Sequence, residues 1–372
     1  MASKKKYYSL TNILQIHAVY NMIIGERSNG KTYSVLEYCI KDYCENGNQM
    51  ALIRRYLESF IGKRGEAMFE ALVSNGVVKK YSNGKFDKIV YRASRWWLAK
   101  YDEKLEKNIL DEKPFCFGFA LNATEHDKST SYPKVKNILF DEFITRSTYL
   151  SDEFVLFMNT LSTIIREKDD VKIFMCANTV NKYCPYFIEM GLNRVEKQKQ
   201  GTIDTYTYGE SKLTVAVEYC ASNAKGKKSD KYFAFDNPKL KMITEGSWEV
   251  ALYPHLPIKY MLEDVKLSYY IEFMGNMLQC DIVKKKDEKG RKVCFTYVHR
   301  KTTPLKDKEK DIIFSTQYSP KPNWFRRLAK PTSYIEQRIF AFFKREKVFY
   351  QDNEIGEIMR NYLNWCITDK IE

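Results

Sequence analysis

The sequence lacks long apolar runs, clustered metal-ligating side chains and internal repeats. No stretch reaches about 18 consecutive apolar residues, so we expect no transmembrane helix and no membrane partner. Residues 1–8 are charged and lack the apolar core of a secretory signal. The nine cysteines form no Cys-x-x-Cys pair and the four histidines are dispersed. This argues against a zinc site and for free thiols in a reducing cytoplasm.

Positive charge and aromatic side chains are abundant. The chain holds 61 Lys and Arg against 47 Asp and Glu, a net charge of +14, and 15% of its 372 residues are aromatic. This length and composition are typical of a well-packed protein with two domains. The excess charge is spread over the whole chain and favours a polyanionic partner such as nucleic acid. The alternative is that the charge serves only solubility.

The first part of the chain alternates short apolar runs with amphipathic patterns, which indicates an α/β sheet with crossover helices. Asn83-Gly84 is predicted to turn a hairpin between strands at 77–81 and 85–91. We assign residues 1–222 to this domain and residues 223–255 to a linker. Further strands are predicted at 20–24, 50–53, 115–121, 135–140, 171–176 and 213–220, and helices at 31–43 and from about Ser151 to 165.

A different pattern follows the linker and predicts a smaller α+β domain over residues 256–372. Strands are expected at 267–273, 277–284 and 292–299, and two helices, at 333–347 and 353–366, are expected near the end of the chain.

One segment matches Gly-x-x-x-x-Gly-Lys-Thr without a mismatch, after an apolar strand and before a helix, as the motif requires. Backbone N–H groups of such a loop form an anion nest for phosphates. Lys31 is expected to neutralise the β- and γ-phosphates, and the Thr32 hydroxyl to ligate Mg²⁺. The segment therefore predicts ATP and Mg²⁺ as cofactors. Its residues are Gly25, Glu26, Arg27, Ser28, Asn29, Gly30, Lys31 and Thr32.

Two adjacent acids, Asp141 and Glu142, follow the apolar strand at 135–140. They are expected at the carboxyl edge of the sheet, where ligands bind in folds of this type. Asp141 is predicted to hold the Mg²⁺ shell and Glu142 to act as the general base that activates water. A glutamate at this position indicates hydrolysis, and it makes the domain a P-loop NTPase of the additional-strand, catalytic-glutamate (ASCE) type.

Five further polar residues are candidates, each with a structural alternative. Asn178 ends a strand and could contact the γ-phosphate or the attacking water, or simply form a turn. Arg166 ends a helix and could reach a neighbouring subunit's phosphates, or only interact with the helix dipole. Arg54 and Arg55 could serve nucleotide sensing, DNA contact or a salt bridge. Lys128 could act in trans, contact DNA or be an ordinary surface lysine.

These residues resemble the DNA-packaging ATPases of small protein-primed podoviruses of the φ29 type. The resemblance is dense over residues 15–195 and weaker beyond. One departure is that Leu57-Glu58 stands where the family has Lys-Pro after Arg-Arg-Tyr, so no DNA contact is carried over to these two positions. The resemblance rests on residues 21–32, Arg54-Arg55-Tyr56, Ser131-Tyr132-Pro133 before Asp141-Glu142-Phe143-Ile144, and Cys176-Ala177-Asn178 before Pro185-Tyr186-Phe187.

The resemblance implies a homo-oligomeric ring, expected to be a pentamer, on the portal of an empty procapsid in the host cytoplasm. The ring would use ATP to translocate double-stranded DNA. Arg166 matches the family's trans-acting arginine, and Lys128 matches a lysine before its Tyr-Pro. The resemblance leaves open whether a packaging RNA binds.

The family's C-terminal domain resembles a ribonuclease-H-like nuclease that has lost its cutting site. The acids of residues 256–372 form no convincing metal triad by spacing, so nuclease activity is not expected. Two other functions are weighed against the packaging motor. One is a DNA translocase or helicase without a capsid, and the other is a DNA-binding adaptor whose conformation is set by nucleotide.

Overall fold

The computed structural model divides the chain into two units, Met1–Glu249 and Val250–Glu372. It describes residues 7–123, 130–145, 149–150, 152–180, 184–221, 253–256, 258–286, 290–305, 307 and 309–368. Most of the predicted linker lies outside these residues. In the part of the chain that is described, no helix is both long and apolar enough to cross a bilayer.

The first unit is built on one mixed sheet. Its strands are β1 (Tyr20–Gly25), β2 (Gln49–Arg54), β3 (Lys88–Arg92), β4 (Arg95–Asp102), β5 (Lys107–Leu110), β6 (Cys116–Ala120), β7 (Val135–Asp141), β8 (Lys172–Asn178), β9 (Thr202–Tyr208) and β10 (Leu213–Tyr219). They lie in the order β3-β4-β6-β2-β7-β8-β1-β10-β9, with β5 paired to β4. The six strands from β6 to β10 in this order are parallel to one another.

The order of the parallel strands decides where the polar residues meet. Strands β1, β2, β7 and β8 end at Gly25, Arg54, Asp141 and Asn178 respectively. Because parallel strands present their carboxyl ends at one edge, these four residues share that edge. One strand, β8, lies between β1 and β7.

Helices cover both faces of this sheet. They are α1 (Thr11–Leu14), α2 (Lys31–Asn46), α3 (Lys63–Ala67), α4 (Glu70–Ser74), α5 (Val77–Tyr81), α6 (Glu153–Ile165) and α7 (Pro185–Glu189). Strand β1 shows how the sheet is buried on both sides. Ile24 packs in the apolar layer that holds Phe157 and Leu161 of α6, and Ile23 packs in the layer that holds Val35 and Ile40 of α2.

The predicted hairpin around Asn83-Gly84 is wrong. Val77–Tyr81 is helix α5, and the Gly84 N–H donates to the Lys79 carbonyl at 2.9 Å, a bond typical of a helix C-terminus. Asn83 and Gly84 both have positive φ. Because a helix precedes them, they form its C-terminal turn and not the turn of a hairpin. The true hairpin joins β3 and β4 through Ala93 and Ser94.

The second unit carries the predicted strands and helices together with short strands that the sequence did not indicate. Its elements are β11 (Val265–Phe273), β12 (Asn276–Lys286), β13 (Lys292–Arg300), β14 (Ile312–Ser315), β15 (Trp324–Phe325), α8 (Tyr334–Lys344), β16 (Val348–Tyr350) and α9 (Asn353–Thr368). The strand order is β15-β14-β11-β12-β13-β16. Strands β11, β12 and β13 are antiparallel neighbours, and β14 and β15 continue the sheet in parallel.

Candidate active site

The phosphate-binding motif forms a tight loop between β1 and α2. Gly30 has a φ of 95°, a conformation that side chains other than glycine rarely adopt. A Cβ added at Gly25 would lie 2.9 Å from the Cβ of Cys220, so the backbones approach too closely there for a larger residue. The two glycines of the motif are therefore required by the shape of the loop.

The Lys31 ammonium lies inside this loop, and the residue as a whole is only 5% exposed. Its Nζ donates to the carbonyls of Gly25 and Glu26, at 3.3 and 2.6 Å, and to the side-chain oxygens of Asn29 and Asn178, at 3.2 and 3.3 Å. Burial lowers the pKa of this amine. All four acceptors are uncharged oxygens, so a buried positive charge is presented to the loop, which fits an anionic phosphate.

Thr32 and Asp141 meet across the site. The Thr32 hydroxyl donates to Oδ1 of Asp141 at 2.8 Å. Burial raises the pKa of Asp141, while Arg54 and the Thr32 hydrogen bond oppose this rise. A hydroxyl and a carboxylate in contact are the oxygen donors that Mg²⁺ prefers, so the pair fits the metal that the motif implies.

Glu142 occupies an unusual backbone position. Its φ is 61°, and its N–H donates to the Cys176 carbonyl of β8 at 2.8 Å. The left-handed conformation turns the chain immediately after the strand. The Glu142 side chain is 64% exposed, whereas that of Asp141 is 6% exposed. The adjacent acids therefore differ in environment, and only Glu142 is open to solvent.

Arg54 bridges these two acids. One terminal nitrogen lies 2.6 Å from Oδ2 of Asp141 and the other lies 2.8 Å from Oε2 of Glu142. Arg54 therefore forms a salt bridge, one of the three roles considered from the sequence. This salt bridge lies at the ligand edge of the sheet.

Arg55 points to the other face and is buried. Its Nε and one terminal nitrogen contact the two carboxylate oxygens of Glu153 at 2.7 and 2.8 Å. Burial opposes the positive charge, but the bonds to Glu153 outweigh it and raise the pKa of Arg55. The side chain is 8% exposed and forms a salt bridge, which is one of the three roles that the sequence left open for Arg55.

The remaining predicted residues lie around this centre. A cavity of about 240 Å³ is lined by Arg27, Ser28, Asn29, Gly30, Lys31, Thr32, Tyr33, Asp141, Glu142, Ala177 and Asn178. Glu26 is buried. Arg166 lies at the C-terminal end of α6, exposed, and donates to the Thr130 carbonyl at 2.8 Å. Lys128 lies outside the described residues.

Sequence reasoning missed Glu153, whose role depends on residues far away in the chain. It begins α6 and accepts hydrogen bonds from Arg55, from the Leu150 N–H and from the Tyr186 hydroxyl. An acid in the first turn of a helix is an ordinary pattern. Only its burial, at 3% exposed, marks it as unusual.

Two known proteins similar to this chain are DNA packaging proteins of Bacillus phages. The DNA packaging protein of Bacillus phage B103 is 27% identical over 183 residues, and that of Bacillus phage phi29 is 26% identical over 192 residues. These alignments cover 48% and 51% of this chain and 50% and 51% of the relatives. The chain therefore spans about half the length of these curated relatives.

Two solved structures share the fold along nearly the whole chain. The Phi-28 gp11 DNA packaging motor matches with a TM-score of 0.56 and 17% identity, covering 99% of this chain and 100% of that one. The bacteriophage Phi-29 viral genome packaging motor assembly matches with a TM-score of 0.54 and 17% identity, covering 97% and 99%.

The sequence also matches the family of podovirus DNA encapsidation proteins (Gp16) over residues 2–89 and 93–205. This confirms the resemblance inferred from the motifs. Because the match extends over more than half of the chain, the chain belongs to the podovirus DNA encapsidation protein (Gp16) family.

Proposed function

We propose that this chain is the ATPase of a viral genome-packaging motor, which moves double-stranded DNA into a procapsid through the portal. The observation that carries the proposal is the meeting of Lys31, Thr32, Asp141 and Glu142 at one sheet edge, in a member of a DNA encapsidation family. A packaging motor needs a nucleotide site that hydrolyses ATP, and this arrangement supports one.

The buried Lys31 and the loop N–H groups would bind the triphosphate, and Thr32 and Asp141 would hold Mg²⁺. When bound, the metal supplies positive charge to the β- and γ-phosphate oxygens. Glu142 would accept a proton from the attacking water as general base. For this, its carboxylate must leave Arg54, which holds it at 2.8 Å in the present arrangement. Asn178 contacts Lys31 and would orient the γ-phosphate or the water.

The placement of β8 between β1 and β7 supports the ASCE type, because this is the additional strand between the phosphate loop and the acidic strand. Asp141 and Glu142 then lie one strand away from the loop. The terminal phosphoryl group and the attacking water would occupy the space between the loop and these two acids.

Ring assembly belongs to the same proposal. Arg166 is exposed at the end of α6 and would act in trans on the nucleotide of a neighbouring subunit. Lys128 would act in trans or contact DNA. The net charge of +14 supports double-stranded DNA as the partner. The family resemblance further implies a pentamer on the portal in the host cytoplasm. Binding of a packaging RNA remains to be tested.

The second unit is proposed to be a ribonuclease-H-like domain without a cutting site. Three antiparallel strands continued by the parallel strands β14 and β15 support this topology, and β16 adds a sixth strand parallel to β13. On β11, Glu272 accepts a hydrogen bond from the hydroxyl of its cross-strand partner Ser315 at the end of β14. Among the described residues, no three acidic, histidine or cysteine side chains are grouped to hold a metal ion. We propose from the family resemblance that this domain has no nuclease activity.

The test is a packaging assay with procapsids, genomic DNA and ATP, read out as DNase-protected DNA and released phosphate. We expect ATP hydrolysis that procapsids and DNA stimulate together, and we expect Glu142→Gln to abolish both signals while ATP still binds. Strand separation by the isolated chain would instead favour a helicase. ATP binding without turnover in the full assembly would favour a nucleotide-gated adaptor.

A further inference from the structure

Arg55 and Glu153 form a buried ion pair whose hydrogen-bonding groups are almost completely used. The two charged groups make two parallel bonds, and the remaining Glu153 lone pairs accept from the Leu150 N–H and the Tyr186 hydroxyl, both at 2.8 Å. The Arg55 guanidinium also lies 5.1 Å from the centroid of the Tyr149 ring. Such a bidentate pair holds its partners in one orientation.

The guanidinium also binds the backbone beside the proposed catalytic glutamate. Its two terminal nitrogens donate to the carbonyl oxygens of Glu142, at 3.2 Å, and of Phe143, at 2.9 Å. Glu142 is the residue with the positive φ, and a strained conformation of this kind persists only where surrounding contacts hold it. Arg55 supplies two of those contacts without touching the nucleotide cavity.

Helix α6 provides the anchor for this arrangement. Glu153 lies in its first turn, and Phe157, Leu161 and Ile164 hold the helix in the apolar layer on one face of the sheet. Arg55 follows β2 directly in the chain. Its ion pair with Glu153 connects β2 to α6, and its hydrogen bonds to the carbonyls of Glu142 and Phe143 connect β2 to the end of β7. Three elements meet on one guanidinium.

We propose that Arg55 is a positioning residue, which fixes the backbone of Glu142 against α6 and so sets the reach of the Glu142 carboxylate. This inference rests on the proposed ATPase function, because it assigns Arg55 a role in that reaction. It predicts that loss of Arg55 slows hydrolysis while nucleotide binding is retained, since the loop around Lys31 makes none of these contacts.

The test compares variants of the full chain with procapsids and DNA present. In Arg55→Met with Glu153→Gln, both charges are removed together, so neither is left buried without a partner. Arg55→Lys keeps the charge but not the fork of donors. Leu98→Ala, a buried truncation on β4, is the control for a general loss of stability. Circular dichroism and thermal unfolding establish the folded fraction of each variant.

Two quantities are measured, the affinity for a fluorescent ATP analogue and the single-turnover rate of ATP hydrolysis. We expect the double variant to bind nucleotide within about twofold of the parent and to hydrolyse about 100-fold more slowly, the cost of a misplacement near 1 Å. Arg55→Lys should hydrolyse ATP at a rate between those of the parent and the double variant. Leu98→Ala should hydrolyse at the parental rate per folded molecule.

The decisive comparison repeats the double substitution in a Glu142→Asp background, which keeps a carboxylate and therefore a measurable, slower rate. Since Arg55 acts through Glu142, no further loss of rate is expected there. A second 100-fold loss, a parallel loss of nucleotide affinity, or a parental rate in the folded double variant would each overturn the proposal. Glu142→Gln alone tests the proposed function separately. If it hydrolyses ATP at the parental rate, the catalytic assignment itself fails, whatever Arg55 does.

Discussion

Arg54 places a positive charge between Asp141, the proposed metal ligand, and Glu142, the proposed general base. Its removal is expected to make the stability of the protein depend on Mg²⁺. The guanidinium contacts Asp141 at 2.6 Å and Glu142 at 2.8 Å. Arg54→Met keeps most of the aliphatic stem and removes the charge. Without a divalent cation, Asp141 would then be a buried carboxylate beside a second carboxylate, and the Thr32 hydroxyl would be its remaining side-chain donor among the described residues.

The size of the effect follows from the burial of the two acids. Breaking a buried pair by removing one partner costs about 3–5 kcal/mol. Here Glu142 is 64% exposed and can turn to water, while Asp141 is 6% exposed and cannot. We therefore expect a loss of about 2 kcal/mol, or a fall in Tm of roughly 4–8 °C for a unit of this size. Mg²⁺ at tenfold its Kd should restore about 1.4 kcal/mol.

The assay is thermal unfolding of the parent and Arg54→Met in EDTA and in excess MgCl₂, without nucleotide. The variant should be less stable than the parent in EDTA and should recover much of the difference in MgCl₂, while the parent changes little. Arg92→Met, a substitution of an exposed arginine on β3, is the control. An equal loss of Tm in both buffers, or no loss in EDTA, would refute the view that Arg54 neutralises this pair.

Three further predictions follow from the same structure. Lys31→Ala should weaken ATP binding on the order of 10–100-fold, the value of a charge-assisted bond, and a titration with a fluorescent analogue that shows parental affinity would contradict this. Arg166→Ala subunits mixed into parental rings should inhibit packaging more than their fraction, and loss in simple proportion would leave the trans role unsupported. In the second unit, burial raises the pKa of Asp281, but bonds from His299, Gln279 and other donors outweigh it and lower the pKa from 3.8 to about 2. The ionised Asp281 contributes its full stability above pH ~4, and this contribution is lost as the pH falls through about 2. Urea unfolding of the parent should therefore show a loss of about 1–2 kcal/mol on acidification, and Asp281→Asn should not show it.

The central site could be predicted from the sequence because its signals are local. The glycines of the loop, Lys31 and Thr32 lie within eight residues, and strand and helix patterns flank them. Asp141 was found because an apolar strand ends beside it. In each case the backbone conformation and the chemistry come from neighbours in the chain, which a single sequence shows directly.

Other features depend on contacts between distant segments and could not be predicted. Arg55 and Glu153 are separated by 98 positions, and no periodicity reveals that they pair. The positive φ of Glu142 is held by β8 and Arg55. Asn83-Gly84 has the residues typical of a hairpin turn, but the segment before it forms a helix whose Val77 and Val78 are buried by tertiary packing. The Asn83-Gly84 turn signal by itself favoured a hairpin.

The most direct measurement is a structure of the chain with Mg²⁺ and a non-hydrolysable ATP analogue. We predict the triphosphate within the loop around Lys31, the metal beside Thr32 and Asp141, and the Glu142 carboxylate released from Arg54 and facing the γ-phosphate. A nucleotide bound elsewhere, or Glu142 turned away from the terminal phosphate while Arg54 still holds both acids, would contradict the proposed mechanism.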